Sequence, residues 1–262
     1  MKRTLCAVGL GALCLTWVAS AGATVLCAKK SGVVVVRAAC KKKETPLNLT
    51  QFGAVSLPCA SQVGTEVFFT GCNVNIRSGS GSTDGAVNGL GNLIVGYNAN
   101  TGGQARTGSH NLIVGDEHDY SNYGGLVAGF QNTIAAPSAS VSGGAHNTAS
   151  GPVASVSGGN LNTASGPVAS VSGGDQGMAS GPGASVSGGV GNLASGFEAS
   201  VSGGEGNAAT GIGASVSGGE TNRASGTAAS VSGGFMLTQP VDAGWAAGSV
   251  SGNAIAGDFE SP

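Results

Sequence analysis

Charged and aromatic side chains are both scarce in this sequence, at 9% and 5% of 262 residues. With a net charge of −2 and no aromatics interleaved among basic groups, it lacks the footprint expected of a nucleic-acid-binding protein. Only three histidines occur, His110, His118 and His146, each in a turn-like context without an evident serine or cysteine partner. No Gly-x-Ser-x-Gly elbow is present. Cys-x-x-Cys spacing is absent too, which argues against a zinc site. Asp116, Glu117, His118 and Asp119 form the densest polar cluster, with His110 nearby in sequence. Adjacent residues on a strand point to opposite faces, so the four do not converge on one ion, and an exposed loop is expected there. The expectation is a protein without catalysis, cofactor or metal.

Glycine, by contrast, occurs 49 times. From Ala139 to Gly234 the hexapeptide Ala-Ser-Val-Ser-Gly-Gly recurs seven times, marked every fifteen residues by Val141, Val156, Val171, Val186, Val201, Val216 and Val231. A second motif, typically Asn-x-Ala-Ser-Gly, lies between the hexapeptides. A period this strict implies stacked copies of one supersecondary unit. Read with period two, each unit splits into two short strands. Ala139, Val141 and Gly143 share one face and Ser140 and Ser142 the other. Beyond a turn near Ala145-His146, Asn147, Ala149 and Gly151 face one way, and Thr148 and Ser150 the other. A second turn follows at Pro152-Val153. Burying the Ala/Val/Gly set gives an all-β fold, a parallel β-roll or β-solenoid with coils of about fifteen residues. Glycines are expected to supply positive φ in the turns.

Asn147, Asn162, Asn192, Asn207 and Asn222 form a column with Asn132, and Gly177 replaces it once. Stacked amides of this kind hydrogen-bond to one another and to turn backbone, a structural ladder. Each coil offers its interior one Val and two Ala, a thin core against the entropy of ordering fifteen residues. Further burial between chains is therefore expected, with Val153, Val168, Phe197 and Ile212 contributing.

Residues 1–23 read as a signal peptide: Lys2 and Arg3, an apolar centre from Leu5 to Val18, and the small residues Ala21-Gly22-Ala23. Once it is removed, no segment is long and apolar enough to span a membrane. Residues 24–78 form a Cys-containing β region. Its basic cluster, Lys29, Lys30, Arg37, Lys41, Lys42 and Lys43, flanks a β-branched run from Gly32 to Val36. Cys27, Cys40, Cys59 and Cys72 are disulfide candidates; equal gaps of thirteen favour Cys27–Cys40 and Cys59–Cys72 among three possible pairings. Strands from Glu66 to Ile76 are expected to lead into the stack. Residues 79–134 hold irregular first coils, 135–234 the regular repeats, and 235–262 a last coil and cap, with Trp245 covering the end of the core.

The stretch Asn147 to Gly159, Asn-Thr-Ala-Ser-Gly-Pro-Val-Ala-Ser-Val-Ser-Gly-Gly, resembles the YadA-like head repeats of trimeric autotransporter adhesins. The likeness covers roughly residues 92–234. It implies a left-handed parallel β-roll, a homotrimer of chains side by side, and binding to host matrix, glycans or cell surfaces. The period here is longer, Gly143 stands where the family carries a larger apolar residue, and no heptad stalk or membrane-anchor barrel is recognisable. An exported, adhesin-like structural protein at the cell surface or outside the cell, or in the periplasm, is the expected function. Two alternatives stand beside it. Ser140-x-Ser142, repeated on one face, resembles the Thr-x-Thr ladders of ice-binding solenoids. β-Helices also host polysaccharide-active enzymes, which hold paired carboxylates across a cleft; Glu198, Glu205 and Glu220 are the acidic residues at variable positions.

Overall fold

A computed structural model describes residues 59–249 and 40–47, together with strands at 3–7, 13–17, 25–29 and 34–37. The chain divides into two compact units, Met1–Val74 and Asn75–Pro262.

In the first unit, β1 (Arg3–Ala7), β2 (Leu13–Trp17), β3 (Val25–Lys29), β4 (Val34–Arg37) and β5 (Glu44–Leu47) form one sheet in the order β1-β2-β4-β3-β5. The segment read as a leader thus contains β1 and β2, paired antiparallel. The β-branched run supplies β4, which pairs with β2 in parallel and with β3 antiparallel. A hairpin follows, β6 (Ala60–Val63) against β7 (Glu66–Phe69). The Cys59–Cys72 disulfide closes its open end, with the Cα atoms 6.0 Å apart. The strand expected from Glu66 to Ile76 stops at Phe69, because β7 folds back on β6 rather than continuing. Cys40 is also disulfide-bonded; its expected pairing with Cys27 falls on a side chain outside the described residues.

The second unit is a β-solenoid, and no helix occurs among the described residues. One eleven-stranded sheet runs from β8 (Leu93–Val95), β9 (Leu112–Asp116) and β11 (Leu126–Phe130) through the Ser-Val strands to β25 (Ser230–Phe235) and β27 (Trp245–Ser249). A nine-stranded sheet starts at β10 (Asp119–Tyr120) and β12 (Thr133–Ile134) and continues through the Thr-Ala strands to β26 (Thr238–Gln239). Neighbouring strands in both sheets are parallel. Register steps by fourteen from Val127 to Val141 and by fifteen from there to Ala246, as Val141↔Val156 and Ala149↔Ala164, before a shift to fourteen at Gly234↔Gly248. A third line of single bridges joins Phe130, Ala145, Asn160, Asp175, Val190, Glu205, Glu220 and Phe235 along one corner.

Two-residue strands hold because each coil donates a set of backbone bonds to the next. Ser140 N–H donates to Ala154 O, Ser142 N–H to Val156 O, and Thr148 N–H to Asn162 O, at 2.8–2.9 Å. Alternation then turns Ala139, Val141, Asn147, Ala149 and Gly151 inward, and all are buried. Gly143 differs from expectation. It is half-buried at the turn, where the chain has already left the strand. The first coils carry larger core residues, Ile113, Tyr120 and Ile134.

The turns also depart from expectation in who supplies positive φ. Gly144 does so at one corner (φ 78°), but His146 (57°), Leu161 (56°), Val153 (59°) and Val168 (59°) do so beside it and at the other turn. Left-handed backbone is costly for a β-branched residue. Bonds to the preceding coil hold it there, Val153 N–H to Pro137 O and Val168 N–H to Pro152 O, each 2.9 Å. Trp245 is not over the core end. It pairs in register with Ser230, on the outward side of the sheet, and its Nε1–H donates to Ser232 Oγ at 2.6 Å. Ala246, paired with Val231, continues the inward column instead.

Candidate functional site

The asparagine column lies inside the solenoid. Asn147, Asn162, Asn192, Asn207 and Asn222 are each at most 1% exposed. Each amide serves three backbone groups. In the coil of Asn207, Nδ2 donates to Gly203 O (2.9 Å) and Gly219 O (2.8 Å), while Oδ1 accepts from Asn222 N–H at 2.9 Å. The same pattern runs from Asn132 to Leu237, apart from Gly177. The ladder therefore consumes its polar groups internally and presents none to a ligand.

His118 continues this ladder. It is fully buried, and the Asp116–Asp119 segment is a tight connection between β9 and β10 rather than an exposed loop. Its Nδ1 accepts from Asn132 N–H at 3.2 Å, and Nε2, 3.1 Å from Val114 O, donates, so the ring is the neutral Nε2–H tautomer. Asn98 Oδ1 accepts from His118 N–H at 2.9 Å, and the Arg106 guanidinium holds both Asn98 Oδ1 and Ala99 O. Burial lowers the His118 pKa, against the raising influence of the Val114 and Gly129 backbone groups and of the Asp116 charge. The unfolded chain thus binds more protons than the fold. The contribution of His118 is intact above about pH 6.5 and is lost as pH falls below it. His118→Asn is expected to keep both ladder bonds and to flatten the acid limb of stability that begins there. Urea midpoints against pH for the two proteins check this.

Outside the core, the solenoid offers faces rather than a cleft. On the eleven-stranded sheet, Ser140, Ser155, Ser170, Ser185, Ser200, Ser215 and Ser230 form one outward rank. Ser142, Ser157, Ser172, Ser187, Ser202, Ser217 and Ser232 form a second, exposed rank. Coils repeat at about 4.8 Å, so the ranks make a regular hydroxyl grid. The outward positions of the other sheet vary: Thr148, Thr163, Met178, Leu193, Ala208, Arg223 and Thr238.

No protein-family model matches this chain. None of the curated proteins matches it either. Functional argument therefore rests on the faces and edges of the solenoid.

The edge between the sheets carries exposed apolar side chains: Val153 (57%), Val168 (63%), Phe197 (50%) and Ile212 (59%). The acidic residues do not converge on one cleft. Glu205 and Glu220 bridge along one corner, whereas Glu198 sits after Phe197 at the opposite turn, and all three are exposed. Near the start of the unit, a groove of about 600 Å³ is lined by Arg77–Thr83 and His110. Both imidazole nitrogens of His110 are committed there: Nε2 accepts from Ser78 N–H at 3.0 Å, and Nδ1 donates to Thr83 O at 3.2 Å. His146, on the same corner as Glu205 and Glu220, packs edge-on against Phe130 with ring centroids 6.0 Å apart. Among the described residues no cluster of three or more His, Cys, Asp or Glu is placed to hold a metal. No helix there is long and apolar enough to cross a membrane. The roles of His118 and Arg106 were missed by sequence reasoning, although the spacing of fourteen from His118 to Asn132 places the histidine in the asparagine column.

Proposed function

We propose that this protein is an exported, adhesin-like structural protein, without catalysis, that attaches to extended polymeric surfaces through the flat hydroxyl faces of its solenoid. The observation that carries this reading is the double rank of serines. Ser-Val-Ser is kept in all seven coils, while the outward positions of the other sheet change from Thr to Met, Leu, Ala and Arg. Core packing explains the invariant Val but not two outward serines per coil. A periodic surface meets a periodic partner in matched register, which favours glycan or matrix over a compact ligand. The signal-peptide pattern of residues 1–23 and the Cys59–Cys72 disulfide support export. The apolar edge at Val153, Val168, Phe197 and Ile212 supports side-by-side assembly, and three chains in the manner of YadA-like heads is the arrangement proposed.

Binding of the mature protein to immobilised glycans, matrix proteins and whole cells tests the reading. A variant with Lys at Ser157, Ser172, Ser187 and Ser202 keeps the core and breaks the grid. It is expected to bind about tenfold or more weakly, equivalent to about 1.4 kcal/mol. Equal binding by the variant removes the serine face from the argument. Solution mass decides the trimer separately. The same regular grid favours one second reading, ice binding: thermal hysteresis that vanishes in the variant, with no retention on glycans or cells, replaces attachment by that function.

A further inference from the structure

The asparagine ladder is broken once, at Gly177, and the break leaves two main-chain groups without a protein partner. In every other regular coil the amide donates to the carbonyl four residues earlier and accepts from the N–H fifteen residues later, as with Asn192, Gly188 O and Asn207 N–H. The corresponding groups at Gly177 are Gly173 C=O and Asn192 N–H, and no hydrogen bond reaches either. The third group, Gly189 O, keeps the bond it receives from Asp175 N–H at 2.9 Å. The backbone around Gly177 is otherwise that of its neighbours. Gly177 N–H donates to Asn162 Oδ1 at 2.8 Å, and Thr163 N–H donates to Gly177 O at 2.8 Å. Asn192 is 1% exposed and Gly177 is buried, so solvent outside the solenoid does not reach Asn192 N–H. The equivalent carbonyl of the next coil, Gly188 O, faces the internal amide.

We propose that the space beside Gly177 is a binding site for a single buried water molecule. A Cβ placed on Gly177 would meet Asn162 Oδ1 at 3.0 Å, Val186 Cγ1 at 3.3 Å and Val171 Cγ1 at 3.4 Å, which outlines the room an amide fills in the other coils. Removing an asparagine side chain frees more than the roughly 30 Å³ that one water occupies in the liquid. The lining supplies three hydrogen-bonding groups of the right sense. Asn192 N–H donates to the water, and the water donates to Gly173 O and to the second lone pair of Asn162 Oδ1. Three partners is the usual complement of a buried water, whereas an unpaired N–H and C=O inside the core are each costly. The water thus bridges coils where the side-chain ladder stops, and the regular register continues past it through Ala179↔Ala194.

An atomic-resolution crystal structure is expected to show one well-ordered peak bridging Asn192 N, Gly173 O and Asn162 Oδ1. Absence of that peak overturns the proposal. Two substitutions give a second, independent reading from denaturant unfolding. Gly177→Asn restores the amide and releases the water, and is expected to raise the folding equilibrium constant by up to about thirtyfold. Gly177→Leu fills the space without hydrogen bonds, displacing the water and stranding both groups. It is expected to lower the constant by about a hundredfold. A Gly177→Leu protein as stable as the wild type means the space is dry and apolar in character, and sinks the idea. If that variant does not fold at all, the crystallographic test on the wild-type protein still decides.

Discussion

Asn207→Leu is expected to destabilise the solenoid by about 4 kcal/mol, although leucine has a similar branched outline and is the more hydrophobic. Asn207 makes three bonds to backbone inside the core. Leucine leaves Gly203 O and Asn222 N–H with no partner, at about 1–3 kcal/mol for each buried unsatisfied group. Gly219 O is less affected, since it also accepts from Glu205 N–H at 3.0 Å. Asn207→Asp separates shape from hydrogen bonding further. Its carboxylate still accepts from Asn222 N–H but turns a second oxygen toward two carbonyls, so the folded state raises its pKa and the damage eases as pH falls. Chemical denaturation of both variants at two pH values checks the pair. In a quasi-one-dimensional stack the loss is felt first at the interfaces beside the altered coil. Hydrogen exchange should therefore rise around residues 203–224 before it rises elsewhere.

The same residues show where a reading of sequence alone reaches its limit. Period and alternation are one-dimensional properties, and they carry the coil length, the inward Val and Ala columns and the two outward serine ranks directly. A third strand-like contact along Ala145, Asn160 and Asp175 is not periodic in hydrophobicity, because those side chains vary and point outward. His118 looks like part of an acidic metal cluster when read with its neighbours in sequence. Its buried bonds to Asn132 and Val114 emerge only once coils are superposed at fourteen or fifteen residues. Turn chemistry misled in the same way. A Val at 153 or 168 argues against positive φ by local preference, yet the bond to the preceding coil holds that conformation. Coil-to-coil contact outweighs residue preference wherever a repeat must close at fixed length.

Glycines are the extreme case, since identical letters hold different roles. Gly196→Ala is expected to cost about 4 kcal/mol or more, whereas Gly203→Ala in the next turn is expected to be neutral or to gain about 0.5 kcal/mol. A Cβ on Gly196 would overlap Gly211 O and lie 2.6 Å from Gly211 C. Those atoms are backbone of the following coil, so no side chain can rotate away to relieve the contact. Separating the coils instead stretches the ladder bond from Ser195 N–H to Ala209 O, now 2.9 Å. Gly151, Gly166, Gly181 and Gly211 meet the next coil in the same way, which makes this column a line of close backbone approach along the stack. At Gly203 an added Cβ meets nothing within 4 Å, and only the unfolded chain changes, losing conformational freedom. Thermal unfolding of the two variants, made as a pair, measures how much of the solenoid's stability depends on coils touching backbone to backbone. Equal midpoints for Gly196→Ala and Gly203→Ala would falsify the close-approach argument.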